Sequence, residues 1–348
     1  MQVTSNPLLF SINGFSVADG IGRLWGWIAD PDQPFDTYSV ILNGVLWVED
    51  QPLEARQDVR NGRFPYVEHT ERSGLRVEQP LGDVPVNGPS FEARIVVKYQ
   101  GEEQGAVTTS LRDLTHEAER LPVPPVDLAV HVGQFGNVDS ILYDGWRIYQ
   151  DLKRGVEQYR PLAEMRRILD WGCGVGRVAR FLIEDVPAAH VYGCDIDAET
   201  IAWFQVNIPG PTVIVSPPMP PTPYEDAFFD LIFGISIFTH FDEPTQFAWL
   251  AELARITAPD GLVAVTVLGR ANAHPAAGAV LDAAGFYDER SEQSEIFTPY
   301  GGADYYRETY HSRAYIEQQW SKYFEVLEFR EFGMNSHQHL VIMRSKQA

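Results

Sequence analysis

Short apolar runs alternate with turn residues through the first third of the chain. VILNGVLWV, residues 40–48, sets an Asn-Gly turn between two alternating segments, the pattern of a β-hairpin. FEARIVVKYQ and AVTTSL flank GEEQG in the same manner, and no amphipathic helix is expected before Leu111. Residues 1–120 therefore predict a small all-β sandwich or barrel. LPVPPVD, residues 121–127, follows with three prolines, which remove backbone donors and favour extended conformations, so it reads as a semi-rigid linker.

The rhythm changes over residues 128–348. Apolar strands at RILDWG, HVYGCDI, TVIV, DLIFGIS and LVAVTVL are separated by helix-length segments GRVARFLIEDV, AETIAWFQVNI and EPTQFAWLAELARIT. Strands alternating with helices predict a doubly wound α/β domain, a parallel sheet with helices on both faces. Phe247, Leu250, Leu253 and Ile256 recur along one face of the last helix, and Asp242 stands where an N-cap would. FEVLEFREFG and HQHLVIMRS close the chain as an expected antiparallel pair.

Composition narrows the function classes. The 348 residues are 45% hydrophobic and 22% charged, enough for two ordinary cores. No stretch approaches the roughly 20 apolar residues of a membrane span, and the first residues lack the basic start of a signal peptide, so a cytoplasmic protein with no membrane partner is expected. Cys173 and Cys194 are the only cysteines and are expected to be reduced. A net charge of −21 repels phosphate backbones, which argues against a nucleic-acid partner. Oligomeric state is left open by the sequence.

The chemistry concentrates in ILDWGCGVGRVARFL, residues 168–182, where a strand runs into an Asp, a glycine-rich turn and a helix. Gly172, Gly174 and Gly176 permit a tight turn and close approach of a ligand to the backbone. A dinucleotide fingerprint would space its glycines Gly-x-Gly-x-x-Gly and set a pyrophosphate at the helix start. Here the spacing is Gly-x-Gly-x-Gly, and Asp170 stands two residues ahead of it. That carboxylate would repel an anion and pair with an ammonium. Asp195 ends the next strand, 25 residues later, where a carboxylate can accept hydrogen bonds from ribose hydroxyls. Together the two describe a nucleoside carrying an amino acid. Asp170 as a mere turn cap, and Asp197 in place of Asp195, are the bland alternatives.

LDWGCGVGR, VYGCDID, AFFDLIFGISIFTHF and LARITAPDGLVAVTV resemble the successive motifs of class I S-adenosylmethionine (SAM)-dependent methyltransferases over about residues 130–348. YHSRAYIEQQW and HQHLVIMR extend the resemblance to a bacterial subgroup found with glycan or secondary-metabolite biosynthesis. It implies a Rossmann-like sheet of seven strands with the last antiparallel, and SAM as cofactor. Asp170, Gly172, Cys173, Gly174 and Gly176 would hold the methionine end, Asp195 the ribose, with Ile196 and Ser236 among the cofactor contacts. Where many members carry an acidic residue near adenine, this chain has SPPMPPTP, so backbone or Met219 would serve there.

Other candidates surround this motif. His240, after the fourth strand, lies where ligands of such folds bind and is the candidate general base for a hydroxyl acceptor; it could equally order its loop. Tyr143 and Trp146, on an expected helix over residues 137–152, could fold over the donor or fill a core. Residues 286–312 form an aromatic, hydrophilic insertion that could cover the substrate, with Tyr305, Tyr306 and His311 as acceptor-pocket candidates. Cys173 and Cys194 are expected to pack beside the cofactor without chemistry of their own. His337 and His339 would share a strand face, but two histidines without a third ligand make no convincing metal site, and no metal is predicted.

GRLWGWIADPDQP, YSVILNGVLWVED and ARQDV in the first domain are similar to β-sandwich modules attached to bacterial glycosyltransferases and related transferases. Trp25, Trp27 and Trp47 could stack on sugars, though a sandwich core is the favoured role. The leading expectation is a methyltransferase acting on a small polar acceptor, a sugar or secondary-metabolite hydroxyl. A non-catalytic glycan- or protein-binding scaffold with a degenerate SAM domain, and a dinucleotide enzyme, are the competing readings.

Overall fold

The computed structural model describes residues 8–57, 59, 69–115, 117–129, 131, 138–291 and 305–347. Contacts divide the chain into two compact units. One runs to Arg120 and includes Leu142–Asp144, and the other comprises Leu121–Ile141 and Gly145–Ala348.

In the first unit, β1 (Leu9–Ala18), β2 (Ile21–Ala29), β6 (Arg72–Pro80) and β5 (Glu54–Ala55) form one antiparallel sheet in that order. A second sheet has the order β4 (Val45–Pro52), β3 (Thr37–Leu42), β7 (Ser90–Tyr99), β8 (Glu102–Arg112). The β3–β4 hairpin turns at Asn43 and Gly44, both left-handed at φ 47° and 81°, because a turn of that hand matches the twist of the flanking strands. The β7–β8 hairpin turns at Gln100 and Gly101, tighter than the expected GEEQG loop: Glu102 already pairs with Tyr99, and a register shift after Val97 absorbs the difference. Apolar positions of both sheets share a core, with the Phe15 ring 5.0 Å from Phe91 and 6.4 Å from Trp47. Trp27 and Trp47 are buried, and the Trp25 ring lies against Gly14, so all three tryptophans pack.

The second unit is a seven-stranded mixed sheet flanked by helices. Its strands are β9 (Ile168–Trp171), β10 (Val191–Asp195), β11 (Thr212–Val215), β12 (Phe229–Gly234), β13 (Thr257–Val267), β16 (Phe324–Met334) and β17 (Gln338–Ser345), in spatial order β11-β10-β9-β12-β13-β17-β16. The first five are parallel, and β17 runs antiparallel between β13 and β16. All four residues of β9 are buried, as a central strand covered on both faces requires. Strand order reverses between β9 and β12, and the crevice at such a switch point is where open α/β sheets bind ligands.

Helix Glu243–Ile256 buries Trp249, Leu250, Leu253 and Ile256, and Asp242 caps it by accepting from the Thr245 N–H at 2.9 Å. Two expectations change. The proline-rich stretch is not extended throughout: Val126–Ala129 forms a helical turn, its Ala129 N–H donating to Pro125 O at 3.0 Å. The insertion over residues 286–312 is not simply a loop, since β14 (Phe286–Arg290) and β15 (Arg307–His311) pair as an antiparallel ribbon, tied by Arg307 to Asp288 at 2.5 Å. The stretch 292–304 of that insertion lies outside the described residues.

Removing the Asp242 carboxylate should leave an N–H of the helix start without its partner. Asp242→Ala is expected to lower stability by about 1 kcal/mol in a urea melt of the full chain.

Candidate active site

The site is built on the carboxyl ends of β9, β10 and β12. Asp170, in β9, is buried, and its Oδ2 has no hydrogen-bond partner among the described residues. Burial pushes its carboxyl up to about 8; the nearby Arg177 charge pulls it down and Asp195 adds to the rise. The turn that follows requires left-handed backbone at Gly172, φ 78°, where a Cβ would stand 2.2 Å from the Ile237 side chain. The N–H groups of Gly172 and Cys173 donate to Cys194 O at 2.8 and 3.1 Å, locking the turn to β10. Gly176 contributes in a different way, since a Cβ there would meet Ile208 and Phe204 within 3 Å, and its absence permits packing against helix Ala198–Asn207.

Asp195 receives the Gly174 N–H on Oδ2 at 2.8 Å and the Asp197 N–H on Oδ1 at 3.0 Å. Burial raises its pKa, against the pull of these bonds. Asp197, the alternative to Asp195, lines the same cavity, with both carboxylate oxygens engaged. It caps its helix through Glu199 N at 2.9 Å and meets His131 Nδ1 at 2.7 Å.

Beyond β12, Ser236 holds a left-handed φ of 60°, its N–H on Thr266 Oγ1 and its Oγ accepting from Gln338 Nε2. Strain of this kind in a non-glycine residue is characteristic of sites whose surroundings over-determine the backbone. His240 follows in a 3-10 turn, Phe238–His240. Its Nδ1 lies 2.9 Å from Arg307 O, which can only accept, so Nδ1 carries the proton and Nε2 the lone pair. Tyr306 Oη lies 2.8 Å from that Nε2, and the two rings stack at 3.9 Å. Burial lowers the imidazole pKa to about 4.

A cavity of about 330 Å³ joins these groups. Asp170, Gly172, Cys173, Gly174, Asp195, Ile196, Ser236, His240, Tyr305 and Tyr306 all line it. Five expected site residues lie elsewhere. Gly176 packs as described. Met219 is 41% exposed on the loop after β11. Tyr143 and Trp146 are buried on helix Val138–Val156, with the Trp146 ring 5.7 Å from Phe181, because the apolar side of that helix serves a core. His311, the last residue of β15, is buried, its Nε2 donating to Gln246 Oε1 at 2.8 Å and its ring 5.5 Å from Trp320. His337 sits in the β16–β17 turn, and His339 Nδ1 accepts from Phe332 N, so the two do not form a strand-face pair. The Cys173 and Cys194 thiols are buried and pushed up in pKa by that burial, which keeps them protonated packing groups.

Arg177, His131, Thr200, Ser216 and Trp249 also line the cavity and were not anticipated. Arg177 was within reach as the basic residue directly after the glycine turn. His131 precedes Asp170 by 39 residues and carries no local signal.

Residues 168–261 match the family model described as "Methyltransferase domain". Among solved structures, the chain is similar to a magnesium protoporphyrin IX methyltransferase from Synechocystis with bound S-adenosylhomocysteine (SAH), at 15% identity over 64% of this chain and 94% of that one, TM-score 0.43. It is similar also to a SAM-dependent methyltransferase from Mesorhizobium loti, at 13% identity over 55% and 96% of the two chains, TM-score 0.43. The family match spans β9, the glycine turn, β10 to β12 and the start of β13. The chain is thus an enzyme, a SAM-dependent methyltransferase. SAM is its cofactor, and the buried Asp170 oxygen beside the glycine turn, without a partner among the described residues, fits the ammonium of its methionine end.

Asp170 links stability to pH. Its folded pKa of about 8 exceeds the ordinary value near 4, so between those limits the native state holds a proton that the unfolded chain has released. Its contribution to stability therefore falls as pH rises from about 4 to 8. Asp170→Asn escapes this, and thermal melts should show the variant gaining on the wild type as pH rises through that window. Parallel pH dependence in the two proteins would contradict the assignment.

Proposed function

We propose that this enzyme transfers the SAM methyl group to a hydroxyl of a small polar acceptor, a sugar or a secondary metabolite, in the cytoplasm. The observation that carries the reading is one cavity holding both a buried carboxyl oxygen of Asp170, without a partner among the described residues, and the neutral imidazole of His240.

In this reading Asp170 pairs with the donor's ammonium, and the turn from Gly172 to Gly174 keeps side chains out of its way. Asp195, held in place by two backbone N–H groups, keeps acceptor capacity on both oxygens for ribose hydroxyls. Ile196 and Ser236 wall the same space. Bound SAM supplies an electrophilic methyl group on a sulfonium. What remains for the protein is to orient the acceptor and take its proton. His240 suits that role: uncharged above about pH 4, it holds its Nδ1 proton on Arg307 O and offers basicity at Nε2. Tyr306, at that nitrogen, belongs to the acceptor side.

The net charge of −21 supports a small-molecule acceptor over a nucleic acid. Among the described residues no helix is long and apolar enough to cross a membrane. We assign residues 1–120 to an accessory β module, 121–127 to the linker and 128–348 to the catalytic domain.

Isothermal titration should give SAM binding that Asp170→Ala and Asp195→Ala each abolish, with no tight binding of NAD. SAH release assayed against monosaccharides, nucleotide sugars and phenolic metabolites should then identify the acceptor. With that acceptor, His240→Asn should slow transfer about 100-fold while SAM affinity stays unchanged. A folded protein that binds NAD and not SAM would overturn the reading.

A further inference from the structure

We propose that Tyr305 forms the adenosine-facing wall of the donor site, supplied by the segment ahead of β15 in place of a side chain from the loop after β11. The proposal rests on the donor reading above.

Strands β9, β10 and β11 are neighbours in the sheet and parallel. Asp170 and Asp195 lie in β9 and β10, and Ser216 directly follows β11, so the three stand in spatial order across the sheet edge. Neighbouring strands are about 4.8 Å apart, so the cavity edge advances about 10 Å from Asp170 to Ser216. A ligand whose ammonium meets Asp170 and whose ribose meets Asp195 must extend its base toward Ser216, which lines the cavity too. On that side the chain offers SPPMPPTP, with no acidic side chain before Glu225 and with Met219 turned out to 41% exposure.

Tyr305 closes this gap. It lines the cavity and donates its hydroxyl to Pro218 O at 2.8 Å, clipping the ring to the loop after β11. Its ring stands 5.8 Å from Phe241, and burial together with the Asp195 charge raises its pKa, so the phenol keeps the proton that makes the clip. The flat face of an uncharged aromatic ring suits a purine, which is itself flat and apolar on its faces, and the clip to Pro218 sets that face beyond β11, away from Asp170 in β9 where the amino-acid end is held. Tyr306, the next residue, stacks on His240 instead. Consecutive tyrosines therefore serve the two halves of the site, Tyr305 the donor and Tyr306 the acceptor, which moves Tyr305 out of the acceptor pocket where the sequence had put it.

The test is calorimetric titration of the full chain with SAH and with 5′-methylthioadenosine, which keeps the adenosine but lacks the ammonium and carboxylate. Tyr305→Ala and Tyr305→Leu should weaken both ligands equally, by about tenfold. Tyr305→Phe, which keeps the ring, should stay within about threefold of wild type, while Asp170→Asn should weaken SAH alone. Melting curves of the variants exclude unfolding as the cause, and two non-aromatic replacements guard against one of them failing to fold. Wild-type affinity in Tyr305→Ala and Tyr305→Leu, a loss confined to SAH, or a Tyr305→Phe as weak as Tyr305→Ala would each overturn the proposal and leave the donor reading standing. A folded wild type that binds neither ligand would remove the donor reading and the proposal with it.

Discussion

The site depends on a carboxyl group at the end of a buried strand, one of whose oxygens has no partner among the described residues. Asp170 sits in the most protected strand of the sheet, and its Oδ2 finds no donor among the described residues. Leaving such an oxygen dry is costly, and the protein answers by keeping its proton at ordinary pH. The surroundings are arranged around that group: the Gly172 and Cys173 N–H groups, which could have served it, are committed to Cys194 O instead. A cationic ligand group is what would satisfy it, so the cost borne by the free protein becomes selectivity for an ammonium.

The same economy of backbone donors governs the second carboxylate. Asp195 is fixed by Gly174 and Asp197 N–H groups, so the glycine turn and the end of β10 hold each other in position. Deforming either would move both carboxylates. On the far side of the cavity, Ser236 in left-handed backbone and the stacked pair of His240 and Tyr306 are likewise over-determined, by Thr266, Gln338 and the Arg307 carbonyl. One wall is thus fixed by backbone N–H groups and the other by the Thr266 and Gln338 side chains and the Arg307 carbonyl, each anchored in a neighbouring strand.

Much of the fold was legible because its elements carry strong periodic signals. The parallel strands are short apolar runs, helix Glu243–Ile256 shows its stripe and its Asp242 cap, and the Asn43-Gly44 turn names its own hairpin. Errors arose where local pattern and tertiary context diverge. GEEQG looks like a loop, yet Gly101 at φ 84° suffices for a turn and lets the strand resume at Glu102. Residues 286–290 and 307–311 read as parts of a polar insertion, because each needs the other to become a ribbon.

For the site, the sequence by itself determined the residues whose chemistry is tied to a local turn: Asp170, the glycines and Asp195 occupy positions that follow from strand-turn-helix connectivity alone. Only the tertiary structure decided which distant aromatics and histidines join them. Tyr143, Trp146 and His311 look no different in sequence from Tyr305, Tyr306 and His240, yet the first three are buried in packing and the last three line the cavity. An aromatic or imidazole ring is equally at home in a core and at a ligand, so its role is set by which neighbours the folded sheet brings to it. Asp170 was different, since a buried carboxyl oxygen with no hydrogen-bond partner among the described residues has few reasons to exist other than a ligand.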